Sequence, residues 1–199
     1  MCPHQETHTQ NTSTTTVQVP TPAPRDPTTK IRNAEQAQLR CRQALTEKMQ
    51  SQLARFKGHV RLSDFSSDKV PDTSGVYIIG AVTRTGRPIP LRRLNGIDAA
   101  GILCIGKSKD VRRRIREFVA DIRTPRLGTA YHSAGWNFCA YFRDNPRRDI
   151  IRLAEENLEA TWKTTARDRH ADHLETQLLQ AYVKKYQDKP PLNISIKRG

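Results

Sequence analysis

The chain predicts an α/β fold, with a small central sheet of about three antiparallel or mixed strands flanked by helices. Three observations carry this. Two short apolar runs, Gly75 to Ala81 and Ile102 to Gly106, are bounded by glycine and turn residues, as buried strands are. Two longer stretches, Val111 to Ile122 and Arg167 to Tyr186, repeat apolar residues at helical spacing. A third run, Trp136 to Phe142, alternates Trp136, Phe138 and Ala140 with Asn137, Cys139 and Tyr141, which predicts a third strand.

Taken in order, residues 1–30 are rich in Thr, Pro and Gln and hold few large apolar side chains. Such a segment cannot bury enough surface to offset chain entropy, so a disordered tail is expected. Residues 31–58 predict a helix: Cys41, Leu45, Met49, Leu53 and Phe56 form one stripe, and Gly58 ends it. The stripe either packs on the domain, the favoured reading, or meets a partner. A domain spanning 59–199 follows. Arg61 to Thr73 connects, with a helical turn expected at Leu62 to Phe65. Arg84, Arg87, Arg92 and Arg93, among Gly86, Pro88 and Pro90, form a basic loop. It either touches a DNA backbone or is a solvated insertion; contact is favoured.

Asp110 is placed to cap the helix that starts at Val111. After the third strand, Pro146 to about Asn157 predicts a helix with Pro146 in its first turn. Leu158 to Trp162 alternates and predicts a short edge strand. The last helix places Leu174, Leu178 and Tyr182 on one face, with Glu175 and Leu179 beside it. Pro190 and Pro191 end that element.

Lys and Arg number 34 against 20 Asp and Glu, a net charge of +14. That excess favours a polyanionic partner, and nucleic acid is the commonest. No apolar run approaches the ~18 residues of a membrane span, and the polar, Thr-rich start lacks a secretory apolar core. The four cysteines, Cys2, Cys41, Cys104 and Cys139, are widely spaced with no CxxC pair, so no structural zinc site is expected. Buried thiols in a reducing cytoplasm are the simple inference.

The strand at 102–106 leads through a Gly turn into a helix carrying Arg112, Arg113, Arg114 and Arg116 in its first two turns. Cations beside a helix N-terminus are unfavourable for its dipole unless an anion joins them. A phosphate suits both the helix end and the guanidinium groups. A solvated basic face is the equally weighted alternative. Glu175, at the margin of an apolar stripe, needs a metal ion or an arginine as partner, because burying it unpaired is costly.

Together these pieces resemble the GIY-YIG nuclease family over about Ser74 to Asn193. Gly75-Val76-Tyr77 matches the first signature and Cys104-Ile105-Gly106 the second. Arg114 falls ten residues after Cys104, as the family's arginine does, and Glu175 and Asn193 match its late Glu and Asn. Cys104 departs from the usual second tyrosine, and Phe118 from a histidine many members carry. The longer spacing between the signatures fits an inserted loop around Arg84 to Gly101.

The resemblance implies a metal-dependent endonuclease acting on single- or double-stranded DNA, with Mg²⁺ or Mn²⁺. In that reading Glu175 holds the ion, with water and phosphate oxygens completing the shell. Arg114 braces the phosphate with its fork of donors. Tyr77 contacts or deprotonates the attacking water. A free phenol has a pKa of about 10, so that role needs a nearby cation, for which Lys107 is the candidate. Asn193 holds the site together, and His132 is a candidate second acid or base. Arg112, Arg113 and Arg116, with the loop arginines, are read as DNA contacts. Two alternatives stand beside the enzyme. One is a nucleic-acid-binding module that kept the fold and lost the chemistry, for which Cys104 is the best argument. The other is a partner protein working through its N-terminal helix.

Overall fold

The computed structural model describes residues 36, 47, 49–124, 133–144 and 151–193. The expected tail at 1–30, most of the 31–58 helix and His132 lie outside the described residues. The elements run β1 (Gly58–Arg61), a 3-10 turn (Ser67–Lys69), β2 (Gly75–Ala81), β3 (Leu91–Arg93), β4 (Gly96–Asp98), β5 (Ile102–Ser108) and α1 (Val111–Arg123). Then follow α2 (Ser133–Phe138), a π-helical turn (Cys139–Arg143), a 3-10 turn (Glu155–Asn157), β6 (Leu158–Thr164) and α3 (Asp168–Tyr186).

The central sheet has four strands, ordered β1-β6-β2-β5, every neighbouring pair antiparallel. It is larger than the three strands expected. β3 and β4 make a separate two-stranded hairpin inside the insertion. Tyr77, Ile79, Ala160 and Trp162 belong to the core under α1, with Val111, Ile115 and Phe118. Val76, Ile78 and Ile105 belong to a second core under α3, with Leu178 and Tyr182. Met49 is buried in this second core, and Leu53 and Phe56 pack against it. The described part of the 31–58 stripe therefore packs on the domain.

Three expectations are corrected. Residues 136–142 are not a strand. Ala134, Phe138 and Phe142 recur every fourth residue, and all three are buried against α1. Phe118 and Phe138 rings lie 6.5 Å apart, and Phe138 and Phe142 rings 6.0 Å apart. Gly135 permits the approach of the two helices, because a Cβ there would sit 2.7 Å from Asp121 Cβ.

Next, β6 is not an edge strand. It lies between β1 and β2, with Leu158, Ala160 and Trp162 buried beneath α1. β1, a strand the sequence pattern does not predict, covers its outer side. Gly58 has no side chain to clash with the Trp162 ring, which a Cβ would meet at 2.1 Å.

Finally, the helix expected from Pro146 to Asn157 is not one where it is described. Residues 151–154 have no regular structure and 155–157 form a 3-10 turn. Leu153 turns into the core instead, and Asn157 ties the turn down by accepting from Ala154 N–H and donating to the Val82 carbonyl.

α1 and α3 agree with their sequence patterns to within a residue. Asp110 caps α1: its carboxylate accepts the Arg113 backbone N–H at 2.8 Å. A turn also forms at Leu62 to Phe65, with Phe65 N–H donating to the Leu62 carbonyl.

Candidate functional site

The site is built around the open edge of β5. Antiparallel pairing puts Tyr77 directly opposite Gly106. The Tyr77 ring lies flat across that position: a Cβ on Gly106 would meet the Tyr77 hydroxyl oxygen at 2.4 Å and Cζ at 2.5 Å. The second glycine is therefore a close-approach requirement of the first tyrosine. Tyr77 is 2 % exposed, and its hydroxyl shares a hydrogen bond with the Arg114 guanidinium.

Burial pushes the Tyr77 phenol far above its ordinary range, and charge on Cys104 and Glu175 would act the same way; Arg114 offsets only part of this. The phenol is a proton donor at neutral pH. Arg114 reaches Tyr77 from the first turn of α1. Its Nη1 also donates to Glu117 Oε2 at 3.0 Å, and Arg113 holds the other Glu117 oxygen at 3.2 Å. Burial pulls on the Arg114 guanidinium downward, but Tyr77 and Glu117 outweigh it and keep the side chain charged. A fork anchored at two points and about 30 % exposed is ready for a further anion.

The opposite face of the sheet carries the acids. Lys107 pairs with Val76, one residue out of phase with Tyr77 and Gly106, so it points toward α3. There its ammonium hydrogen-bonds Asp172 and stands 3.7 Å from Glu175. Lys107, read as the cation beside Tyr77, thus belongs to the carboxylates; the guanidinium on the phenol is that of Arg114. Glu175 is 19 % exposed at its side chain. Burial raises its pKa, and Lys107 lowers it in part. The hydrogen bond to Asp172 raises that of Lys107. Glu175 and Arg114 both act electrostatically on Tyr77 and on Cys104, so the two faces meet at this edge.

Asn193 closes the edge. Its side-chain amide donates to the Ile105 carbonyl at 2.7 Å, and its oxygen accepts the Ile105 N–H at 2.9 Å. Leu192 N–H bonds the Leu103 carbonyl alongside. The asparagine takes the place of a neighbouring strand on β5. Cys104 is 3 % exposed opposite Ile79, with its thiol pushed up to about 12 by burial; it is a packing group.

The remaining arginines divide by what they touch. Arg112 bonds the Val70 carbonyl and pairs with Asp72 at 3.4 Å, tying α1 to the loop before β2. Arg93 is drawn inward onto Asp188 at 2.5 Å and the Lys189 carbonyl. Arg84, Arg87, Arg92 and Arg116 are exposed. Glu117 and Asp172 escaped the sequence reading. Each lies three residues along a helix from a residue already singled out, Arg114 and Glu175, and that spacing was the available signal.

Among the described residues no group of three or more His, Cys, Asp or Glu side chains is gathered as a metal cage. The donor set still fits Mg²⁺ or Mn²⁺, since Asp172 and Glu175 already converge on one cation, the Lys107 ammonium. Magnesium commonly takes one or two carboxylates and completes its shell with water and phosphate oxygens. Among the described residues no helix is long and apolar enough to cross a membrane. No family model matches the chain, and no curated protein or solved structure matches it either.

Proposed function

We propose that the chain is a metal-dependent endonuclease of the GIY-YIG type that hydrolyses phosphodiester bonds in DNA. The observation that carries this reading is the Tyr77 phenol laid across Gly106 with its hydroxyl on Arg114. It joins both signatures and the helix arginine in one contact, while Glu175 acts on the same phenol from the other face.

In this reading Arg114 binds a non-bridging phosphate oxygen, already oriented by Tyr77 and Glu117. Tyr77, held as a neutral phenol, hydrogen-bonds and positions the attacking water or the phosphate rather than removing a proton unaided. Glu175, with Asp172 beside it, would hold Mg²⁺ or Mn²⁺. Such an ion supplies Lewis-acid charge at the phosphoryl oxygens. Lys107 holds the two carboxylates close and offsets part of the rise that burial causes in the Glu175 pKa. Asn193 fixes the β5 edge on which Gly106 and Lys107 sit. Two buried free thiols, Cys104 and Cys139, favour a reducing, cytoplasmic setting.

A second reading, a nucleic-acid-binding module with impaired chemistry, has one observation in its favour. Cys104, where the family has its second tyrosine, is buried and offers no hydroxyl. Labelled DNA incubated with and without Mg²⁺ separates the two. The enzyme reading expects metal-dependent cleavage by the wild type and none by Glu175→Gln. Binding without cleavage in either metal would leave the module.

A further inference from the structure

α3 has two unlike flanks. Asp168, Asp172 and Glu175 lie toward Lys107 of β5 and Lys109 just after it. His170, His173 and Gln177 lie on the other side, and there they line a cleft of about 350 Å³. Its other walls are Arg55, in the turn that ends the 49–53 helical segment, Leu174 of α3, and Lys163, Thr164 and Thr165 at and just past the end of β6. Among the described residues that line it, none is acidic. A chain of amides shapes the rim: Gln52 Nε2 donates to Gln177 Oε1 at 3.4 Å, and Gln177 Nε2 lies 2.9 Å from His173 Nε2.

The position of the cleft relates it to the candidate site. Val76 pairs with Lys107 on one side and with Lys163 on the other. The two lysines therefore stand in one cross-strand row, their backbones about 10 Å apart at ~4.8 Å per strand. Lys107 is held by carboxylates; Lys163 faces a cleft that has none. Arg55, Lys163, two imidazoles and the Thr164 hydroxyl around an open cleft are donors for a phosphate, while the Thr165 hydroxyl is turned to the Arg167 carbonyl and Ser74. Leu174 adds one apolar wall, and a cationic ligand finds no carboxylate there among the described residues.

We propose that this cleft is a second phosphate subsite, which holds backbone phosphates of the DNA strand flanking the bond that is cut. The inference rests on the reading of the β5 edge as a DNA-cleaving site. Arg55 and Lys163 supply the charge; the histidines and Thr164 supply directed hydrogen bonds.

The test is anisotropy of a fluorescein-labelled duplex in EDTA over a series of salt concentrations. Each neutralised phosphate contributes about −0.9 to the slope of log affinity against log salt. The variant Arg55→Gln/Lys163→Gln is expected to lose about 1.8 from that slope relative to wild type. Should Lys163→Gln unfold β6, seen as a lost thermal transition, Arg55→Gln alone carries the test with an expected loss of about 0.9. An unchanged slope in a folded variant overturns the subsite. So does a variant that loses affinity for inorganic pyrophosphate and keeps it for the duplex, which would make the cleft a small-anion site. Cleavage by the wild-type chain is scored separately in Mg²⁺. A lost slope without wild-type cleavage keeps the subsite and removes the nuclease; wild-type cleavage with an unchanged slope does the reverse.

Discussion

Asp98, packed against α3, and Glu175, carried on it, are two carboxylates that differ in how fully they are satisfied. Asp98, at the end of β4, is fully buried and accepts four hydrogen bonds. Ala100 N–H and Tyr186 hydroxyl reach one oxygen, at 3.0 and 3.3 Å. Ile102 N–H and Tyr182 hydroxyl reach the other, at 2.8 and 3.0 Å. The four bonds pin the β3–β4 hairpin to both β5 and α3. Glu175 leans on Lys107 through a 3.7 Å contact and remains partly exposed. A saturated buried carboxylate is a rivet. A half-buried one with a loose ammonium partner retains lone pairs for a cation, and its raised pKa records the cost of leaving it so.

The largest effect expected on either side of this comparison is at Glu175. Replacing it with Gln should lower cleavage by about 10³-fold or more, the scale of several kcal/mol of metal-derived stabilisation. DNA binding should persist. Stability should hold or rise slightly, and the sign follows from the raised pKa. A carboxyl whose folded pKa lies above its unfolded value is less destabilising when protonated, and that advantage is lost as pH climbs from the unfolded value through the folded one. Thermal melts of both proteins at neutral pH check this.

Asp98→Ala should act in the opposite sense. Four donors lose their acceptor, and unfolding free energy should fall by about 3 kcal/mol. The folded fraction should still cleave DNA at a near-normal rate, read from denaturant titration beside activity below the transition. Arg114→Ala should lose about 10²-fold in rate, as other preorganised electrostatic donors do. Arg114→Lys should restore little, because a point charge cannot bridge Tyr77, Glu117 and a phosphate together.

Lys107→Met sharpens the comparison through pH. Lys107 lowers the pKa of Glu175, so removing it moves that pKa up. The acid limb of the rate profile should then shift to higher pH, toward the behaviour of an isolated buried carboxyl. An unmoved limb would mean that another group controls it. The smallest effect is at Cys104. Cys104→Ala should cost about 1–2 kcal/mol of stability and keep cleavage, since its thiol is buried and protonated.

Much of this arrangement was legible from residues alone. β2, β5, α1 and α3 follow from glycine-bounded apolar runs and helical spacing, and these elements carry Tyr77, Gly106, Arg114 and Glu175. The facing of Lys107 was hidden in the same strand pattern: a period of two turns neighbouring residues to opposite faces, and proximity in sequence suggested the wrong one. α2 was read as a strand because its aromatics also alternate, while the spacing of Ala134, Phe138 and Phe142 marks the helix. Asp98 gave no signal, since a carboxylate in a basic, Gly- and Pro-rich insertion reads as solvated. Its burial depends on Tyr182 and Tyr186, more than eighty residues later. Arg93 was read as a DNA contact for the same reason and is drawn inward by Asp188. Tertiary pairing across such distances leaves no periodic trace.

The most direct measurement takes wild type and Glu175→Gln through a Mg²⁺ titration on labelled DNA, with binding followed on the same samples. Wild-type cleavage should appear with the metal and vanish in EDTA. Glu175→Gln should bind as tightly or more tightly and fail to cleave at every Mg²⁺ concentration. Equal cleavage by the two proteins would remove the active site from the β5 edge.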